Sequence, residues 1–319
     1  MLPTVLDVYR ARRRIGRRVR PTPLLPSPWL SSIASGQVFI KNESANLTSS
    51  FKIRGALNAA LRIGEGASRQ STLVTASAGN HGRSLALAAE QLGLRCVVFT
   101  PASAPQVKQA AIRRHGAVLH ADNEDYDAAE RRARAFAAAE SGIYISPYNH
   151  PDVIAGAGTI GLEVIEVMPE LDVVVIPIGG GGLASGVGLA MKAAAPRARV
   201  VGIEVEASTP FTVSLNAGRI TEIRPRASLA DALVGNLEPE SITFPLVKRV
   251  VDEVVTVSEQ ELAQAMKGLA SEERLVVEGG AAAGVAAIMN GKASGPGQRV
   301  VALVTGGNVD LPKWLNVIG

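Results

Sequence analysis

The chain predicts an α/β fold built as two three-layer α/β lobes, each a mainly parallel, twisted sheet with helices on both faces. Three observations carry this. Apolar strand-like runs alternate with helix-like stretches from about residue 71 to the C-terminus, the pattern of parallel strands joined by crossover helices. DVVVIPI (172–178) is apolar without alternation, as a strand buried on both faces requires. The 32 glycines among 319 residues exceed the usual ~7%, and several cluster directly after strands, where they read as loop chemistry. No long linker interrupts the pattern. Two closely packed lobes are therefore expected, a smaller one over residues 48–145 and a larger one over 1–47 plus 146–319, with the site in the cleft between them.

Each element follows from local pattern. A first helix spans about residues 4–19, ended by Pro21 and Pro23. PTPLLPS continues extended, and QVFIKNE (37–43) is a strand. FKIRGALNAALRI repeats its apolar residues every three to four positions, so a helix opens at Lys52, with the Thr48, Ser49, Ser50 cluster ahead of it as a cap. STLVTAS (71–77) is a strand and Gly79 to Gln91 a helix, with Asn80 near its start. LRCVVFT (94–100) is a strand, Ala104 to Arg114 a helix, GAVLHA (116–121) a strand, and an Ala/Arg/Glu helix runs to about 140 before IYIS (143–146). The second block opens with PYNHPD (147–152) and a helix to about Met168. Strand 172–178, a helix to about 194 and strand ARVVGIEVE (198–206) follow. VVTVS (254–258), helices Glu259–Glu272 and Gly280–Ile288, and strand RVVALVT (299–305) complete the chain.

Composition narrows the function classes. The chain is 47% hydrophobic and 19% charged, with a net charge of +4. Much of the excess lies in Arg10 to Arg20, which holds seven arginines in eleven residues. That run is interleaved with Val8, Ile15 and Val19 and has no aromatic beyond Tyr9, so it reads as the solvated face of a helix, and no nucleic-acid partner is expected. The single cysteine, Cys96, sits in the apolar run LRCVVF and reads as a buried strand residue; no intrachain disulfide is possible. No apolar stretch reaches the length of a membrane span, and the N-terminal charges precede no signal-like apolar region, so a cytoplasmic protein is expected.

Three loops and one lysine carry the chemistry. Gly179, Gly180, Gly181 and Gly182 join a buried strand to a helix. Four residues without Cβ let backbone N–H groups converge, and the helix N-terminus adds its dipole, which together suit a phosphate. The same loop fits a dinucleotide fingerprint loosely through Gly179, Gly181 and Ala184, with Glu204 where a ribose-binding acid would sit, so a nicotinamide-dependent oxidoreductase is a rival reading. The second loop, Ser77, Ala78, Gly79, Asn80, His81, Gly82, again follows a strand and opens a helix; it suits a substrate carboxylate. His81 is either a general base or a helix-start residue. The third, Thr305, Gly306, Gly307, Asn308, places a neutral hydroxyl at the carboxyl edge of the sheet, where ligands of open α/β sheets bind. Lys52 lies at a helix N-terminus between Phe51 and Ile53. Partial desolvation there lowers a lysine's pKa and favours Schiff-base chemistry.

With these loops together, the chain resembles the pyridoxal-phosphate enzymes of the tryptophan-synthase-β fold (fold type II), and within them the serine/threonine dehydratase and serine racemase group. The matching motifs are SFKIRGA (50–56), SAGNHG (77–82), IAGAGTIGLE (154–163), PIGGGGLASG (177–186) and TGGNVD (305–310), in the family's order. The resemblance implies pyridoxal 5'-phosphate as cofactor, held by Lys52 as a Schiff base, with Lys52 then acting as the base at Cα. It implies Phe51 beside the ring, Asn80 on the ring's 3-hydroxyl oxygen, Gly179 to Gly182 around the phosphate, Thr305 at the pyridine nitrogen and Glu278 near the cofactor. Ser77, Ala78, Gly79, Asn80 and His81 would form the substrate-carboxylate loop. The implied reaction is β-elimination of a β-hydroxy amino acid such as L-threonine or L-serine to a 2-oxo acid and ammonia, by a homodimer.

The departures sharpen this. Racemases of the group commonly carry a second serine after the position of Ser77; Ala78 has no ionisable group, so elimination is favoured over racemisation. The group's divalent-metal site uses acids after the strand ending at Glu204; Pro210 stands where relatives can have aspartate, and no metal is assigned. Gly279 follows Glu278 where many relatives carry proline. Ser49 replaces a common glycine and Ala157 a common glutamine, which leaves a hydroxyaspartate- or phenylserine-type substrate open beside threonine. Serine racemase is an alternative, as is a ligand-binding protein that keeps the fold without turnover. The chain ends soon after the last motif, so no isoleucine feedback is expected.

Overall fold

The computed structural model describes residues 2–66 and 71–319. Helix α1 (Val5–Ile15) starts at a Thr4–Asp7 capping box and buries Val8, Ala11 and Ile15. It stops at Gly16, short of the expected residue 19, and the chain turns so that Val19 still reaches the core. β1 (Leu24–Pro26), α2 (Pro28–Ala34) and β2 (Gln37–Asn42) lead to α3 (Lys52–Gly66). β3 (Thr72–Ala76), α4 (Asn80–Leu92), β4 (Arg95–Pro101), α5 (Gln106–Arg113), β5 (Val118–Asn123), α6 (Tyr126–Ala139) and β6 (Ile143–Tyr144) alternate as the sequence predicts. α7 (Pro151–Val167), β7 (Val173–Pro177), α8 (Gly182–Ala194) and β8 (Arg199–Val205) follow. The segment after β8, given no element from sequence, holds α9 (Pro210–Ala217), a short 3-10 turn (Asp231–Leu233) and α10 (Thr243–Val250). β9 (Glu253–Val257), α11 (Glu259–Ser271), α12 (Gly279–Met289), β10 (Arg299–Val304) and α13 (Leu311–Ile318) close the chain.

The strands form two sheets. The larger has the order β1-β2-β10-β7-β8-β9 and the smaller β5-β4-β3-β6. Among the described strands, β1 runs antiparallel to β2, and the remaining strand pairs are parallel. β7 is buried at all five positions, as its unbroken apolar run requires. The loops after β3, β7 and β10 leave the carboxyl ends of parallel strands, where an α/β sheet offers a crevice. These are the three loops that the sequence analysis singles out.

The helix that carries Lys52 is fixed from below. α3 and α7 cross so closely that a Cβ on Gly156 would stand 2.4 Å from the Arg54 carbonyl oxygen. Two residues after Lys52, the Arg54 side chain is 1% exposed and lies between two carboxylates. It meets Glu43 at 2.8 Å through both Nε and Nη2, and Glu163 at 2.6 Å through Nη1. Lys41, equally buried, donates to Glu163 at 2.6 Å and to the Thr22 carbonyl at 2.7 Å. Two cations thus neutralise two anions inside the protein and tie α3 to β2 and α7. Such a network tolerates burial because each charge is paired and hydrogen-bonded.

The expected serine/threonine cap on α3 does not form. Thr48 Oγ1 pairs with Ser84 Oγ at 2.8 Å, and Ser50 Oγ is buried without a partner among the described residues. Ser50 instead bridges to Gly306, and the Phe51 amide donates to the Thr305 carbonyl at 3.0 Å. Backbone pairing with the last loop has replaced side-chain capping. The Arg-rich helix behaves as a solvated face: Arg12 pairs with Glu166 at 2.8 Å, Arg14 with Glu65 at 3.1 Å and Asn58 at 2.7 Å. No helix among the described residues is long and apolar enough to cross a membrane.

Candidate active site

Every residue that the resemblance assigns to cofactor or substrate lines one cavity of about 830 Å³. Phe51 and Lys52 enter from the start of α3, and Ser77, Ala78, Gly79, Asn80 and His81 from the β3–α4 loop. Gly179 to Gly182 enter from the β7–α8 loop, Glu278 from the start of α12, and Thr305 from the end of β10. The cavity therefore takes residues from the carboxyl edges of both sheets.

Lys52 is set for chemistry by its surroundings. Its Nζ donates to the Pro147 carbonyl at 2.9 Å and lies 5.0 Å from the Phe51 ring centroid. Burial pushes the amine down to about 8, and the Glu278 carboxylate opposes that shift. Glu278 is itself pushed up to about 7, first by burial and then by the charge of Asp231. One of its oxygens accepts from Asn80 Nδ2 at 2.7 Å; the other, Oε2, has no partner among the described residues. Each of the two groups favours the charged form of the other, but burial outweighs that attraction and leaves amine and carboxylate poised near neutrality.

The glycine loop is a cradle with no spare volume. A Cβ on Gly180 would stand 2.3 Å from the Tyr148 ring, and one on Gly181 2.5 Å from the Phe211 ring. Gly181 also has φ +83, a left-handed conformation that L side chains rarely adopt. None of the amides of Gly179 to Gly182 donates to a protein acceptor in the described hydrogen bonds, and the loop caps α8. Unspent donors at a helix N-terminus are an anion site. The β3–α4 loop repeats the arrangement: Ser77 Oγ accepts from the Gly79 amide at 3.2 Å, and the amides of Asn80 and His81 remain unspent. His81 is 2% exposed, and burial, reinforced by Lys52, pushes its imidazole down to about 3. It is a neutral ring in this site. Thr305 is 5% exposed at the cavity wall.

Other wall residues were not singled out from sequence. The Lys108 stem packs on the carboxylate loop, where a Cβ on Gly79 would lie 3.0 Å from its Cδ, and its amine pairs with Asp231 at 2.7 Å. Arg134 pairs with Glu238 at 2.8 Å and stacks 4.3 Å from the Tyr144 ring. Tyr148 packs on Gly180, and its Oη accepts from the Glu238 amide at 3.1 Å. Tyr148 could have been found, because it lies in the loop after the last strand of the smaller sheet, at a carboxyl edge. The ion pairs join residues more than a hundred positions apart and leave no local pattern.

Glu204 bears on the nicotinamide reading. It is fully buried, and its carboxylate accepts from the amides of Phe211 (2.7 Å) and Thr212 (2.9 Å) and from Thr212 Oγ1 (2.6 Å). It is committed to the N-terminus of α9. A ribose-binding role, on which the nicotinamide reading rested, would have to displace three hydrogen bonds.

Comparison with known proteins agrees with this geometry. The L-threonine ammonia-lyase of Thermotoga maritima is 38% identical, over 97% of this chain and 76% of its own. The L-threo-3-hydroxyaspartate ammonia-lyase of Saccharomyces cerevisiae is 35% identical, over 100% of this chain and 97% of its own. The solved structure of maize serine racemase superposes with a TM-score of 0.92 at 30% identity, covering 99% of this chain and 97% of that one. Residues 15–306 match the family described as pyridoxal-phosphate dependent enzyme, and the chain belongs to that family.

Proposed function

We propose that this protein eliminates water from a β-hydroxy amino acid, L-threonine or L-serine, releasing a 2-oxo acid and ammonia with the aid of pyridoxal phosphate. The residues fit that cofactor. Gly179 to Gly182 offer unspent amides in a cradle that a Cβ would fill, which suits its phosphate. Lys52 offers an amine held near neutrality for covalent attachment, Phe51 a ring face, Asn80 an amide, and Thr305 and Glu278 polar groups on the cavity wall. Bound there, pyridoxal phosphate supplies an electron sink for the charge left at Cα.

The protein's own groups do the rest. The β3–α4 loop holds the substrate carboxylate on the amides around Gly79, and Ser77 shapes that loop. Lys52 Nζ takes the proton from Cα, which its lowered pKa allows near pH 7. The Cβ–O bond breaks with its electron pair leaving on oxygen, and that oxygen departs as water after gaining a proton. The enamine left behind takes up water and loses ammonia in solution.

The observation that carries elimination over racemisation is Ala78. It lines the cavity beside Ser77 and offers no atom that could return a proton to the face opposite Lys52. The test uses purified, cofactor-loaded protein with L-threonine, L-serine and L-threo-3-hydroxyaspartate, following 2-oxo acid, ammonia and the D-isomer. Formation of 2-oxo acid with little D-isomer is expected. Comparable racemisation, or no keto acid from any hydroxy amino acid, overturns the proposal. Borohydride reduction followed by peptide mapping should place the cofactor on Lys52. The division into a 48–145 lobe and a lobe of 1–47 plus 146–319, a cytoplasmic location and a homodimer belong to the same reading; sedimentation tests the dimer.

A further inference from the structure

Arg83 and Asn308 have no part in the chemistry above, yet they form one end of a hydrogen-bonded chain that terminates in the cavity. Arg83 Nη1 donates to Asn308 Oδ1 at 2.6 Å. Asn308 Nδ2 donates to Asn80 Oδ1 at 2.7 Å and to the Thr48 carbonyl at 2.8 Å. Asn80 Nδ2 then donates to Glu278 Oε1 at 2.7 Å.

Direction in this chain is fixed by its ends. A guanidinium carries donors and no acceptor, and a backbone carbonyl accepts only. Arg83 therefore demands an oxygen from Asn308, and Thr48 demands a nitrogen. With Asn308 held from both sides, its Nδ2 faces Asn80, which must answer with Oδ1. The Asn80 nitrogen is left pointing away, toward Glu278 and the cavity. An ionised Glu278 adds to the same preference, but Arg83 and Thr48 set it alone. Flipping either amide would place nitrogen against nitrogen at one contact and oxygen against oxygen at the next, leaving half-buried polar groups unpaired.

We propose that Arg83 and Asn308 are positioning residues that hold the Asn80 amide with an N–H, and not its carbonyl oxygen, presented to the bound cofactor. An amide nitrogen carries two hydrogens. One serves Glu278; the second is the free donor. The group it receives must be an acceptor, and a donor at that point favours the ionised form of a ring hydroxyl. The inference rests on the reading that Asn80 meets the ring oxygen of pyridoxal phosphate.

Two pairs of variants test it, with cofactor dissociation constant and the visible absorbance of the bound cofactor as readouts. Asn308→Ala removes the chain's middle and should weaken cofactor binding about 3- to 10-fold, the worth of one lost hydrogen bond. Asn308→Asp keeps the shape and the Arg83 contact but replaces the donor facing Asn80 and Thr48 with an acceptor. Asn80 should then turn its nitrogen to Asp and its oxygen to the cofactor, so binding should fall at least tenfold below the alanine variant and the absorbance should shift. A merely structural residue would show the opposite order, with the near-isosteric aspartate milder than alanine; that order, or equal effects, overturns the proposal. If either Asn308 variant fails to fold, as judged by thermal melting, Arg83 decides. Arg83→Lys, still a donor only, should stay within about threefold of wild type, and Arg83→Met should match Asn308→Ala; Arg83→Met at the wild-type level overturns the proposal. Wild-type protein that takes up no pyridoxal phosphate would overturn the function proposed above and this inference with it. Wild-type turnover with the wrong variant order would overturn this inference alone.

Discussion

The state of Lys52 before it meets its cofactor is the most quantitative expectation. Burial lowers its pKa from 10.5 to about 8. At pH 7.5 roughly a quarter of such amines are neutral, against about one in a thousand for an ordinary lysine. Only the neutral amine attacks a carbonyl, so covalent capture of pyridoxal phosphate by the cofactor-free protein should rise with pH through a midpoint near 8 and then level off. Glu278 raises the Lys52 pKa, so Glu278→Gln should move the midpoint down. Stability obeys the same linkage. The folded pKa lies below the unfolded one, so the unfolded chain binds more protons between about pH 8 and 10.5, and stability rises with pH across that window. Below it, the charged amine costs up to about 3 kcal/mol. Lys52→Met should therefore raise the melting temperature of the cofactor-free protein at pH 7, with the gain fading toward pH 10.5. Stopped-flow absorbance measures the capture and calorimetry the melting. A capture midpoint near 10, or a midpoint that rises in Glu278→Gln, would refute the argument.

Three further substitutions probe the frame around that amine. Gly180→Ala would drive a Cβ to 2.3 Å from the Tyr148 ring, which is pinned on its far side by the Glu238 amide. Overpacking of ~1–3 kcal/mol should weaken cofactor binding about 5- to 100-fold, and unchanged affinity in equilibrium dialysis would contradict the cradle. Arg54→Met leaves Glu43 and Glu163 sharing Lys41 alone, a loss of about 3–5 kcal/mol that urea unfolding should detect; a loss below about 1 kcal/mol would show the network to be dispensable. Ser49 has φ +53. A left-handed backbone strains an L-residue by about 1–2 kcal/mol, partly offset by the unfolded-state entropy of glycine, so Ser49→Gly should stabilise by up to about 1 kcal/mol and must not destabilise.

What the sequence reveals and what it hides divide along a physical line. The three loops were legible because each is local: a strand, a short run of small or polar residues, then a helix start. Lys52 was legible from its helix and its motif. Ser49 shows a less legible case. Its neighbours in sequence gave no local reason for a special backbone, and the structure shows a positive φ that glycine would adopt without strain. The short helices α2, α9 and α13 were missed because seven or eight residues hold barely two turns, and a proline at the first or second helical position reads as a breaker. The cap expected from Thr48 and Ser50 failed because Ser50 and Phe51 pair instead with Thr305 and Gly306, about 255 positions away. The Arg54 network and the chain from Arg83 to Glu278 were hidden for the same reason. Their members are charged and amide residues scattered over the chain, and nothing local distinguishes them from surface residues.

The distribution of these hidden contacts separates the strongly held part of the cavity from the weakly held part. Beneath Lys52, Arg54, Lys41, Glu43 and Glu163 are all at most 4% exposed and mutually paired. Breaking one such contact strands a buried charge. On the cavity wall, the ion pairs Lys108–Asp231 and Arg134–Glu238 differ in kind. Asp231 exposes 56% of its side chain to solvent where it meets Lys108, and Arg134 exposes 46% where it meets Glu238. Pairs like these are worth about 0–1 kcal/mol and weaken with salt. The structure thus places its strong electrostatics beneath the reacting amine, and weak, screened pairs on the cavity wall. Breaking either wall pair therefore costs a small fraction of what breaking the Arg54 network beneath Lys52 would.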